Sequence, residues 1–360
     1  MNRNGMNLVE LAREIMRRAD AKRDFVADTT DLVFESSALS IGNAGTFPLT
    51  DHAHGQIADR VGIPKRYYDR MRADAPALLA GNVNHWFRET PERRMVRTLD
   101  GKARAFLSDR YHRIDHEQIA DAVLPVLLEN GGHGAVVSCC ITGSKLYIQA
   151  LFPRLEGEVK TGDPVQGGVI VSNGEVGDGA LYVRPMIYRL VCQNGLIAGQ
   201  VAEDARLRRN HVGRRIESGE DYSVYSDDTL KADDRALSLK IRDSIRALAQ
   251  PQRFARILAE MRHAAMQQPV CNPIAAVAEL GKVYPVTQGE RDSILTHLIR
   301  GGDYSKWGMV NAITETANDH PSYDRAVELQ AMGGRLLELK PTEWRRIAAA
   351  RPAEAELADA

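Results

Sequence analysis

The chain has 360 residues, enough for two domains or for one elaborated α+β domain. Apolar residues make up 44% and charged residues 26%, which excludes a disordered chain, and no run approaches the roughly 18 apolar residues that span a bilayer. The net charge of -1 excludes a uniformly basic surface, so any polyanion must be met by a local patch.

In chain order, the polar N-terminus lacks the apolar core of a secretory signal, and Leu8, Leu11, Ile15 and Ala19 predict a helix over 7–23. Short strands are expected over 24–50, with a turn at Gly42-Asn43-Ala44-Gly45. Residues 49–86 read as helices broken at Gly62-Ile63-Pro64 and Pro76, with Thr50 or Asp51 as the first N-cap. Asp100-Gly101 marks a hairpin within 96–114, and Asp115 is placed to cap a helix running to Leu128. A second hairpin over 135–152 turns at Thr142-Gly143-Ser144. Strands follow at 168–172 and 181–192, and a tight turn is read at Asn194-Gly195. Seven acidic residues fall within 217–234, and helical patterning then fills the chain to 339. The expected fold is α+β: a central, mainly antiparallel sheet flanked by helices, with an all-helical C-terminal third. The expected divisions are 1–90, helices with short strands; 91–216, the β-rich core; 217–351, helical; and 352–360, a flexible tail.

The densest charge feature is Arg206, Arg208, Arg209, Arg214 and Arg215, five arginines in ten residues around His211. Guanidinium groups match phosphate bidentately, which suits a nucleic-acid backbone, but the acidic 217–234 segment is close enough to neutralise them instead. Arg184, Tyr188 and Arg189 interleave an aromatic ring with cations on one strand, a pattern used to stack and hold single strands; a half-buried Tyr188 is the alternative. Lys65-Arg66-Tyr67-Tyr68 has the same flavour, with packing favoured for Tyr68. The Gln56–Pro64 stretch resembles the start of a helix-turn-helix, or any tight helical hairpin.

Several other motifs are weaker. The glycine-rich Ser172–Gly179 loop precedes a strand rather than a helix, which removes the phosphate-binding context of a P-loop. Asp109, His112 and His116 are the residues on which a metal-dependent hydrolase acting on nucleic acid would depend, although a strand-to-helix transition separates the two histidines. Cys192 lies in a turn-rich segment with no marked base, His211 being the nearest histidine in sequence. The four cysteines, Cys139, Cys140, Cys192 and Cys271, form no C-x-x-C pair and fit a reducing cytoplasm. No cofactor, metal or catalytic residue is assigned.

Taken together, Phe106-Leu107-Ser108-Asp109-Arg110-Tyr111, Ser172-Asn173-Gly174-Glu175-x-Gly177, Tyr188-Arg189-Leu190-Val191-Cys192-Gln193-Asn194-Gly195, His211-Val212-Gly213 and Trp307–Ala312 resemble the phage/plasmid-like proteins grouped as domain of unknown function 932, over most of 48–339. The resemblance implies phages, prophages and plasmids of bacteria, hence a bacterial cytoplasm. Such elements often carry single-strand annealing recombinases, and this architecture is broadly compatible with theirs. The expectation is a non-enzymatic, oligomeric protein that binds single-stranded nucleic acid and promotes annealing. In it, Ser108, Arg110, Tyr111, Ser172, Asn173 and Asn194 mainly hold the fold, with Cys192 and Gly195 in the same motifs. The rivals are the hydrolase and a module that binds a host partner to counter defence.

Overall fold

The computed structural model describes residues 5–131, 136–199, 206–211 and 227–352, and these form twelve helices and twelve strands. Helix α1 (Leu8–Ala21) begins in a capping box: Asn7 Oδ1 accepts the Val9 and Glu10 N–H groups, and Glu10 accepts the Asn7 N–H. Strand β1 (Arg23–Asp28) follows, and β2 (Leu32–Phe34), β3 (Ala38–Ile41) and β4 (Gly45–Pro48) form a small antiparallel meander. Thr50 caps α2 (Asp51–Arg60), and Gly62, at φ 68, turns the chain into α3 (Lys65–Asp74) and α4 (Pro76–Glu89). Strands β5 (Arg93–Leu99) and β6 (Lys102–Ser108) form the expected hairpin, with positive φ at both Asp100 and Gly101, as a tight two-residue turn requires. β1 adds to the other edge of β5. A separate core packs α2, α3 and α4 on this side of the molecule through Ile57, Tyr68, Leu79, Phe87 and Phe106.

After helix α5 (His116–Gly131) come β7 (Val136–Ile141), β8 (Lys145–Glu158), β9 (Pro164–Gly174), β10 (Leu181–Arg189), β11 (Asn194–Ile197) and β12 (Leu207–Arg209). All pair antiparallel in the order β7-β8-β9-β10. The outer edge of β10 is shared: β12 pairs with its first residues and β11 with its last. Asn194-Gly195 is therefore the start of a strand, not a turn. The reversal falls one residue earlier, where Gln193 takes the left-handed conformation at φ 54. The C-terminal third is helical as expected: α6 (Asp227–Leu248), α7 (Pro251–Ala265), α8 (Pro273–Val283), α9 (Gln288–Gly301), α10 (Lys306–Asp319), α11 (Tyr323–Leu337) and α12 (Pro341–Ala348). The fold is α+β. No helix among the described residues is long and apolar enough to cross a membrane.

The alternation of side chains along the six-stranded sheet sorts them into two environments. Leu146, Ile148, Val169, Val171, Leu181, Val183 and Ile187 enter the main core, shared with α5 and the C-terminal helices. Tyr147, Leu151, Ile170, Met186, Tyr188 and Ile197 point to the opposite face, where Tyr323 and Val327 of α11 cover them. α11 does not close the whole of that face. A cleft of about 440 Å³ remains between it and the ends of β8, β9 and β10.

Candidate nucleic-acid interface

The arginines proposed to meet an outside anion separate into those with a carboxylate partner and those without. Arg189 is neutralised: its Nε lies 2.5 Å from Asp163 Oδ1, and its Nη1 lies 3.6 Å from Glu315. Arg209 Nη2 lies 2.7 Å from Asp233, in the described end of the acidic segment, so this member of the cluster has a carboxylate partner. Tyr188 is only 8% exposed and packs with Met186 and Ile197, which leaves its ring unavailable to an unpaired base. His211 is also buried. Its Nε2 is 3.0 Å from Asn173 Oδ1, and its ring stacks on Tyr111 at 5.3 Å, so the side chain is held inside rather than presented to a phosphate. Arg214 and Arg215 lie outside the described residues.

Arg184 and Arg208 behave differently. Both approach the ring of Tyr182, at 4.2 and 5.7 Å, and Arg208 stands directly across the strand pair from it. Arg184 is largely enclosed, and its Nε has no hydrogen-bond partner. Burial, reinforced by the nearby Arg335 and Arg206, lowers its pKa from the usual arginine value. Arg335 comes from α11 and also rests against an aromatic ring, that of Tyr284 at 5.8 Å. No carboxylate of a described residue pairs with Arg184, Arg208 or Arg335 within 4 Å. Tyr182, Arg184 and Arg335 line the cleft, together with Tyr147, Ser172, Asp178, Asp324 and Glu328. An enclosed guanidinium lacking a counter-ion is costly to keep, and an anion entering from outside would offset that cost.

The remaining motif residues build the ground under this cleft. Asn173 faces the opposite side of β9 and donates through Nδ2 to the Ile114 carbonyl at 2.8 Å and to His116 Nδ1 at 3.2 Å. Glu175 is buried, accepting from Arg104 Nη2 at 2.6 Å and from the His116 N–H at 2.7 Å. Burial pushes its carboxyl up, but the facing His116 and Arg104 outweigh this and hold it well below the carboxylate range. Burial lowers His116 and His211 to about 4. Arg97, wholly enclosed, spans Asp24 and Asp115 at 2.9 and 2.7 Å and donates to the Glu175 carbonyl. Asp115 precedes α5 as expected, yet its carboxylate serves Arg97 and Lys22 rather than the helix end. Beside this network, Ser108, Arg110, Tyr111, Asn210 and His211 line a second cavity of about 370 Å³, and Tyr111 donates to the Gly174 carbonyl.

The Cys192 to Gly195 motif packs against the C-terminal helices. Buried Asn194 donates to Thr314 Oγ1 at 2.5 Å, Trp307 Nε1 donates to Asp163 at 2.8 Å, and Gly195 abuts Gln330. Cys192 receives an N–H from Arg189 at 3.1 Å, while His211, its nearest histidine in sequence, is held by Asn173 and Tyr111. Asp109, His112 and His116 have separate partners: Ser108, Asp234 and the Asn173–Glu175 pair. Among the described residues no group of three His, Cys, Asp or Glu side chains is placed to hold a metal ion. In the α2–α3 hairpin, Tyr68 is buried against His54, and Lys65, Arg70 and Arg72 face Asp69, Asp74 and Asp51.

Sequence reasoning selected Tyr188 and passed over Tyr182, Arg335 and Asp324. The two-residue period of β10 puts Tyr182, Arg184, Met186 and Tyr188 on one face, so the alternation itself pointed to Tyr182. Nothing local indicates that α11 covers one half of that face and leaves the other open.

The model of the family described as "Domain of unknown function (DUF932)" matches residues 105–336, and the chain belongs to that family. The match starts within β6, so the segment 48–104 lies outside it. No curated protein and no solved structure matches the chain.

Proposed function

We propose that this protein binds single-stranded nucleic acid in the cleft between the sheet and α11, and that it serves strand annealing in the DNA metabolism of phages, prophages or plasmids, as an oligomer in the bacterial cytoplasm. The observation that carries the reading is the set of three cations, Arg184, Arg208 and Arg335, without a carboxylate partner among the described residues, two of them gathered on one tyrosine ring. Cation–π contact pre-orders both guanidiniums, so less side-chain freedom is lost when a phosphate arrives. The tyrosine and the guanidinium planes also suit the flat faces of unpaired bases, which a duplex keeps stacked. A cleft of about 440 Å³, walled by a helix on one side and by the Asp178–Ala180 loop on the other, suits a single strand better than a double helix. The setting in mobile elements is carried by the family resemblance alone.

The test is fluorescence anisotropy with labelled single- and double-stranded oligonucleotides over a salt series. The single strand should bind more tightly, and log K should fall by roughly 0.7 per phosphate contact for each decade of salt. The paired variant Arg208→Glu with Arg335→Glu should weaken binding at least tenfold and flatten that slope, with its circular dichroism spectrum unchanged. Wild-type affinity in a folded double variant removes this cleft from the account.

A further inference from the structure

The two ends of the cleft differ in unpaired charge among the described residues: Arg184 and Arg335 at one, Asp324 at the other. Along α11, Asp324 and Glu328 lie near the beginning and Arg335 near the end, roughly 16 Å from Asp324 at 1.5 Å per residue. Arg184 lies at the end that feels Arg335, whereas Asp324 meets the hydroxyls of Tyr147 and Thr142, at 2.7 and 3.4 Å, in the adjoining row. Lys145 and Arg325 also line that end and face Asp178 at 3.7 Å and Glu328 at 2.7 Å, which leaves Asp324 as its unpaired carboxylate. Asp324 has no cation within ion-pair distance among the described residues, so its charge stands against anything anionic that comes past Tyr147. A strand threading the cleft from end to end would carry its next phosphate past the Asp324 carboxylate, and like charges brought together in a partly enclosed site repel. A ligand with one phosphate at the arginine end and only hydroxyls and amino groups at the other meets no such penalty, since carboxylates accept from those groups.

We infer that the cleft seats the end of a strand: one terminal nucleotide, its terminal phosphate on Arg184 and Arg335, and its base amino group on Asp324. The inference rests on the single-strand reading and refines it. It gives the protein a preference for phosphorylated ends over continuous strands. Arg208, at the outer edge of the sheet beside Tyr182, then meets the next phosphate outside the cleft.

The experiment is competition against a labelled 5′-phosphorylated oligonucleotide by unlabelled strands of one sequence: 5′-phosphorylated, 3′-phosphorylated, hydroxyl-ended, and circular. A nucleoside monophosphate serves as a further competitor. A phosphorylated linear strand should compete at least tenfold better than the circle. Asp324→Asn, which keeps the acceptor for Tyr147 but drops the charge, should narrow that gap by improving the circle. If circle and phosphorylated strand compete equally in the wild type, strand-end seating is wrong while single-strand binding stands. If the labelled strand itself does not bind, the single-strand reading fails as well. Competition by the monophosphate as strong as that of the oligonucleotide overturns the inference in favour of a free-nucleotide site.

Discussion

Arg97 shows what an enclosed guanidinium requires in this molecule: two carboxylates, from Asp24 and Asp115, and a backbone carbonyl. Removing it leaves those carboxylates near each other in a buried site, so Arg97→Ala should cost about 3–5 kcal/mol in urea denaturation. Arg17→Ala, at an exposed pair with Glu14 and Asp100, should leave the urea midpoint unchanged. Arg184 is enclosed without such partners, and this contrast singles it out. The buried histidines give a pH signature. Burial lowers His54, His116 and His211 from 6.5 to about 4. Between those values the unfolded chain binds more protons than the folded one, so stability should fall as pH drops from about 6.5 towards 4. His297 works in the opposite sense. Glu315 holds its pKa above 6.5, so its contribution is complete below 6.5 and is lost as pH rises through the raised value. With three histidines against one, thermal melts at pH 7 and pH 5 should give a lower midpoint at pH 5. His116→Gln should shrink the difference, and a midpoint that rises on acidification would contradict the assignment.

Two glycines decide how closely the C-terminal elements dock. A Cβ at Gly334 would overlap the Ile197 carbonyl oxygen of β11, and one at Gly308 would overlap that of Asp303, in the segment that leads into α10. Gly308 lies in the Trp307–Ala312 motif, so part of that motif records a close approach of backbones. Because α11 is also a wall of the cleft, Gly334→Ala should lower the melting temperature and weaken oligonucleotide binding together. Normal affinity in a destabilised Gly334→Ala protein would separate α11 from the site. Asn194→Ala removes a buried donor to Thr314 and should cost about 1–3 kcal/mol by denaturation. The hairpin at Asp100-Gly101, the break at Gly62 and the cap at Thr50 were all legible, since each depends on residues a few positions apart. Asn194-Gly195 misled because the pair is a frequent turn signal. Here tertiary bonds to α10 hold Asn194 in a strand, and Gln193 takes the left-handed position.

For the whole molecule, the fold class followed from hydrophobic period and turn spacing, which are local, whereas the neutralisation of charge did not. Asp163 and Glu315 reach Arg189 from distant parts of the sequence, and no pattern around Arg189 announces them. The acidic run after 216 was visible, and one of its members, Asp233, does meet Arg209. What the sequence could not reveal is that α11 covers Tyr188 and spares Tyr182. Binding in the cleft therefore depends on an open half of one sheet face. Photocross-linking with a single-stranded oligonucleotide carrying 5-bromouracil, followed by mass-spectrometric mapping, tests this most directly. The predicted adduct lies on the β10 peptide containing Tyr182 and disappears in the Arg208→Glu, Arg335→Glu protein. Efficient cross-linking confined to the α2–α3 hairpin, or to any surface away from the cleft, would contradict it.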